Sequence, residues 1–155
     1  MTKLLLSLHV LAAVLAVGPV TVAASMFPEA VRRTHRDPDD REALATLRTL
    51  HRICRVYAGV GIAVPGFGFA TAGSLGVLGS GWLITSIVLT TAAAATLALV
   101  ILPAQDGALA GAQAPRSSPG DRSAARLAMS TGVFNLLWGT VTVLMIIRPG
   151  STTGA

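Results

Sequence analysis

Four apolar runs, Leu4 to Phe27, Ile53 to Leu75, Trp82 to Leu102 and Leu127 to Ile147, alternate with polar segments that hold nearly all of the arginine. Each run is about 20 residues or slightly longer, and at ~1.5 Å of rise per residue such a helix crosses a hydrocarbon core of ~30 Å. None contains Asp, Glu or Lys, and the one Arg among them, Arg55, stands near an end. The pattern predicts an all-α protein: one membrane domain, residues 1–155, folded as a four-helix bundle, with loops over 28–52 and 103–126.

Composition agrees, with 52% of residues hydrophobic and 12% charged, as a chain made mostly of spans requires. The placement of charge adds more. A net charge of +5 would point to nucleic acid if it were gathered on one face of a soluble fold. Here Arg32, Arg33, Arg36, Arg41, Arg48, Arg52 and Arg55 lie between the first two runs or at that junction, and Arg116, Arg122 and Arg126 lie between the last two. The connection from Leu75 to Trp82 carries no charge, and the chain ends offer only Lys3 and Arg148. By the positive-inside rule both arginine-bearing loops are cytoplasmic and both termini face outward (N-out, C-out). The expected partner is then a lipid bilayer with anionic headgroups, not nucleic acid. The excess of Arg over Lys in an Ala-rich chain suggests a GC-rich bacterial genome, so the expected location is a bacterial inner membrane. The first run has a second reading, because Lys3, the apolar stretch and Val22-Ala23-Ala24 before Ser25 follow the pattern of a signal peptide. Cleavage there would leave the arginine-rich loop on the wrong side of the membrane, so the charge rule favours keeping the span. The single cysteine, Cys54, excludes an intramolecular disulfide.

The polar segments carry helix signals of their own. Asp37 is placed to cap a helix whose first position is Pro38, and Asp40 suits the positive end of its dipole. Ala43, Leu44, Leu47, Leu50 and Cys54 follow at helical spacing, so the second helix is expected to begin near Pro38. Its polar face carries Arg41, Arg48, Arg52 and Arg55, which face headgroups and water or dock a membrane partner protein. Residues 103–123, rich in Gly, Ala, Gln, Pro and Ser, show no apolar period and are expected to form a flexible linker. The tail from Pro149 is expected to fray. Within the spans, Ala12 with Ala16, Gly66 with Ala70, and Gly68 with Ala72 are small residues four apart, which let helices approach in lipid. Pro19 and Pro65 each remove a backbone donor and are expected to kink their helices. The glycines at 59, 61, 66 and 68 lie inside a span with no preceding strand and form no nucleotide loop.

His9 is the first candidate for chemistry, an ionisable group ~8 Å inside the outer end of the first span. Thr71, Ser86 and Thr142 fall near its depth. A neutral imidazole there can bond these hydroxyls, ligate haem iron or copper, or relay a proton. His51 stands at the opposite end, ~20 Å or more away, so the two imidazoles do not pair on one haem. A second group, Met26, His51, Cys54 and Met129, shares the cytoplasmic boundary, and these soft donors suit Cu(I). Met as packing, Cys as a small apolar residue and His51 at a wet interface are the commoner explanation of such a group. Asn135 offers a polar contact between helices, and Trp138, one turn on, packs. The absence of an intramembrane Asp or Glu, a paired carboxylate or a metalloprotease motif weighs against hydrolase and proton-driven transporter chemistry.

The stretch Leu8-His9-Val10-Leu11-Ala12-Ala13-Val14-Leu15, the short four-span layout and Arg148-Pro149-Gly150 resemble an uncharacterised bacterial family of small integral membrane proteins. The leucine-histidine opening is also similar to the membrane domain of copper-resistance protein D and to the membrane protoporphyrinogen oxidase of haem synthesis. That resemblance implies a metal- or haem-associated role for the first-helix histidine, and His9 alone occupies the position. Where those openings continue into a Trp-Val-Gly-Gly-like stretch, this chain has Ala16-Val17-Gly18-Pro19, and it lacks an intramembrane lysine. The oxidase activity is therefore not carried over. The expected roles are an accessory protein binding haem or copper through His9, an interaction protein using its arginine-rich helix or, last of the three, a redox enzyme of haem metabolism, as a single chain or a homo-oligomer.

Overall fold

Apolar length and arginine placement produce four long rods. The computed structural model describes residues 2–113 and 120–150, and its elements are α1 (Thr2–Arg36), α2 (Arg41–Val60), α3 (Ala63–Leu75), α4 (Gly81–Ala95), a π-helical segment (Thr96–Ile101), α5 (Leu102–Gln113) and α6 (Gly120–Ile147). No strand occurs among the described residues. Helices α2 and α3 form the second rod, and α4, the π segment and α5 form the third. The rods run Lys3–Arg36, Arg41–Leu75, Gly81–Gln113 and Arg122–Ile147, with 34, 35, 33 and 26 residues. All exceed the about 20 residues a bilayer needs.

The surplus lies at the arginine-bearing end, so the bundle continues beyond the apolar slab. Of the expected loops at 28–52 and 103–126, the first already carries the helix expected from near Pro38, and the flexible linker expected over 103–123 is corrected. The first is helical except at 37–40, and the expected linker is helix α5 as far as Gln113; residues 114–119 and 151–155, including most of the expected frayed tail, lie outside the described residues. The cause is a second core. Ala23, Ala24, Phe27, Ala30 and Val31 of α1 pack with Leu47, Leu50 and Cys54 of α2 and Ala124 and Leu127 of α6, while Leu102, Ala108, Leu109 and Ala112 close over them. Two of α5's four contributors are small alanines, which leaves its period faint in the sequence.

The start of α2 is also corrected. Asp40 is the cap, accepting a hydrogen bond from the Ala43 N–H at 2.9 Å. Asp37 and Pro38 instead belong to the turn between α1 and α2, closed by the Asp40 N–H donating to the Asp37 carbonyl at 3.2 Å. Aspartate first and proline second is favoured turn chemistry. Pro65 acts as expected: the second rod breaks at Gly61 and Ile62, four residues before it, and the Val64 N–H reaches the Gly61 carbonyl at 3.1 Å that proline cannot serve. In contrast, α1 remains one continuous helix through Pro19 and Pro28.

Helix α1 packs on α2, α3, α5 and α6, and α4 packs on α6. The second and third rods meet through α2 and α5, with no comparable seam between α3 and α4 among the described residues. Nearer the middle, Val20, Ala93, Leu97, Ile101 and Phe134 form a core cluster flanked by Tyr57 and Trp138, and Phe134 meets Trp138 edge to face at 6.4 Å. At the far end the Arg148 guanidinium lies over the Trp82 ring, 5.7 Å from its centroid, joining α6 to α4. Ala16, Ala72 and Val64 are buried, and Ala12 is half-buried beside them on α1. Gly66 and Ala70 are exposed, so the close packing expected of that pair falls on the neighbouring pair Gly68 and Ala72.

Candidate functional site

Two histidine-centred polar sites lie between the helices among the described residues, one toward each end. In the half away from the arginines, α1 lays the His9 ring against α3, with Nδ1 2.9 Å from the Val64 carbonyl oxygen. That oxygen only accepts, so Nδ1 carries the hydrogen and the neutral ring keeps its lone pair on Nε2. Gly68 makes the approach feasible: a Cβ there would lie 3.0 Å from the ring's Cε1 and 3.2 Å from Nδ1. The hydroxyls expected beside His9 are engaged elsewhere. Thr71 donates to the Phe67 carbonyl, Ser86 to Trp82 and Thr142 to Trp138, each on its own helix. A back-bond of this kind satisfies a hydroxyl in lipid without a second helix.

The other site joins the second rod to the third where the apolar slab meets the arginine-bearing extension. His51 of α2 is buried, with Nδ1 3.1 Å from Gln105 Oε1 and Nε2 3.0 Å from Asp106 Oδ1. Gln105 is fully buried and its Nε2 donates to Cys54 Sγ at 3.5 Å. Asp106 keeps 59% of its side chain exposed, which connects the chain of groups to solvent.

A shift in helix geometry places Gln105. Ala93, Leu97, Ile101 and Gln105 stand four apart and are all buried. On a regular α-helix four residues overshoot one turn by about 40°, so three such steps would carry Gln105 about 120° off the seam. The wider π turn reverses that drift. Its closing bond runs from the Leu102 N–H to the Leu97 carbonyl. Pro103 accounts for its location, since its ring cannot donate to the Leu99 carbonyl and crowds it.

The four soft donors are not gathered. His51 and Cys54 face the core and are engaged with α5, whereas Met26 and Met129 are 54% and 74% exposed on the outer surface. Among the described residues no group of three or more His, Cys, Asp or Glu is arranged to hold a metal ion. Arg41, Arg48, Arg52 and Arg55 are all exposed, opposite the buried Ala43, Leu47, Leu50 and Cys54, as the helical period requires. Asn135 joins α6 to α1 as expected, its Nδ2 3.4 Å from Ser25 Oγ, and Thr131 donates to the Ala24 carbonyl nearby. Sequence reasoning missed Gln105 and Asp106 by placing them in a linker; the available signal was the helical spacing of Gln105, Ala108, Leu109 and Ala112.

Four apolar helices long enough to cross a bilayer, packed as an all-helical bundle, define a multi-pass integral membrane protein. The chain belongs to the family described as predicted integral membrane protein (DUF2269), whose model matches residues 3–149. No curated protein and no solved structure matches the chain.

Proposed function

We propose that this protein is an accessory protein of the bacterial inner membrane, N-out and C-out, that offers His9 as a neutral imidazole ligand to haem iron or a copper ion. The observation that carries the reading is the Nδ1 hydrogen bond to the Val64 carbonyl at 2.9 Å. Ligand histidines characteristically donate one ring N–H to a carbonyl or carboxylate, which fixes the ring and raises the basicity of the other nitrogen. The similarity of the leucine-histidine opening to copper-resistance protein D and the membrane protoporphyrinogen oxidase supports the same reading. His9 supplies one ligand, so a second must come from another copy or from the bound group.

The test is an absorption spectrum and metal analysis of protein purified in mild detergent after growth replete in haem and copper. A Soret band or stoichiometric copper that disappears in a folded His9→Ala variant supports the proposal; a colourless, metal-free wild type overturns it. A second reading is favoured by the exposure of the α2 arginines: the helix binds anionic headgroups or a membrane partner. Replacement of Arg41, Arg48, Arg52 and Arg55 by Gln should then reduce the anionic phospholipid that copurifies, measured by mass spectrometry, while leaving any His9-dependent spectrum intact.

A further inference from the structure

We propose that Arg52 and Arg55 form a two-arginine seat for the phosphate of an anionic phospholipid at the edge of the apolar belt; the proposal rests on the headgroup reading of α2 and narrows it to two of the four arginines. The edge is visible on the surface. Toward the arginine-bearing end the last exposed large hydrophobic residues are Met26 on α1, Val56 on α2, Val100 on the third rod and Met129 on α6, and no described residue of that class is exposed beyond them. Toward the opposite end the belt includes Leu4, Leu75, Ile84 and Ile147. At ~1.5 Å of rise per residue the four separations are about 33, 29, 24 and 27 Å, close to a hydrocarbon core of ~30 Å, and the headgroup layer adds only about 5 to 8 Å on each side.

Height along α2 sorts its arginines. Counted from Val56, the backbone of Arg55 stands about 2 Å above the belt, Arg52 about 6 Å, Arg48 about 12 Å and Arg41 about 22 Å. Side chains on a helix lean toward its N-terminus, which on α2 is the end away from the bilayer. The lean lifts the Arg55 and Arg52 guanidinium groups into the phosphate layer and carries Arg48 and Arg41 further out of it. Charge points the same way. Arg52 and Arg55 are three apart and both exposed, and no salt bridge engages either among the described residues. Like charges so placed repel unless an anion lies between them. On α1, by contrast, Glu29 meets Arg32 at 2.8 Å and Arg36 at 3.8 Å, and Arg41 is flanked in sequence by Asp40 and Glu42. Paired guanidinium forks match the oxygens of a phosphate. A choline or ethanolamine headgroup sets its own cation beside that phosphate, so the seat favours a lipid without one.

The test titrates phosphatidylglycerol against phosphatidylcholine on detergent-purified protein and counts bound lipid by native mass spectrometry. Wild type is expected to hold phosphatidylglycerol the more tightly. Arg52→Gln with Arg55→Gln should weaken that binding about 30-fold, about fivefold for each charge lost, whereas Arg41→Gln with Arg48→Gln should change it by less than about twofold. All four side chains are exposed, so both double variants should fold, which thermal unfolding checks. Equal effects of the two pairs, or a loss from the Arg41 and Arg48 pair alone, would overturn the seat; the variant with all four replaced by Gln then decides whether α2 binds headgroups at all. A wild type with no preference for phosphatidylglycerol overturns both the seat and the headgroup reading.

Discussion

A single missing Cβ separates two otherwise similar glycines of α3. Gly66 has open space where a side chain would begin, while Gly68 would bring a Cβ within 3.0 Å of His9 Cε1. Gly68→Ala is therefore expected to push the imidazole off the Val64 carbonyl and to lower stability by about 1 kcal/mol, the net value of such a bond. Gly66→Ala should stay within about 0.5 kcal/mol of wild type, as surface changes usually do. In a double-mutant cycle Gly68→Ala and His9→Ala should cost little more together than either alone, because both remove one interaction. Thermal unfolding in detergent measures all four proteins; additive losses would show that Gly68 acts by a separate route. At this scale the sequence revealed part of the site. An ionisable residue in an apolar run marks itself, so His9 was legible. Its partner was not, because the Val64 carbonyl is a group every residue carries, and the hydroxyls that looked like better acceptors are held by their own helices.

At the scale of elements, cap and turn chemistry can be separated by two substitutions. Asp40→Ala removes the side chain that accepts from the Ala43 N–H and should cost about 1 kcal/mol. Asp37→Ala loses only an exposed turn contact to the Asp39 N–H and should cost less than half as much in the same unfolding assay. The cap was misplaced from sequence by one turn because two Asp residues flank Pro38, and only the direction in which the chain reverses decides between them. The π segment gives a sharper case. It accommodates the drift between α4 and α5, so deleting Leu99, which is 75% exposed, should let the rod become regular α-helix with Gln105 still on the seam, at a cost of about 1 kcal/mol. Deleting Val88, 61% exposed in the regular helix α4, should rotate one part of the rod by about 100° against the other and abolish a monodisperse, folded protein. Size exclusion and thermal unfolding in detergent compare the two deletions. Periodicity read from sequence assumes one period throughout; a rod whose period changes beside Pro103 looked like a span followed by a linker.

For the whole molecule, the four spans were legible because apolar length alone determines them, and the α2 part of the extension was legible from the spacing of Ala43 to Cys54, while the α1 and α5 parts were not, since Ala30, Ala108, Ala112 and Ala124 pack well but carry little hydrophobic signal. That extension sharpens the question of orientation. Nine of the described arginines, from Arg32 to Arg55 with Arg122 and Arg126, decorate the extended end, and the opposite turn between α3 and α4 has none. Transferring such an end across the membrane is disfavoured, so the proposed orientation has it in the cytoplasm and the His9 site in the outer half. Two positions report on opposite ends: Leu78 is 52% exposed in the connecting turn, and Gln113 is exposed at the end of α5. Cys54 is fully buried, so the natural thiol contributes little background. With an impermeant maleimide on intact cells, Leu78→Cys is expected to label and Gln113→Cys to label only after permeabilisation. The reverse pattern would move the arginines and the His51 site outside, whereas labelling of both in intact cells would mean that the two ends do not lie on opposite sides of one bilayer.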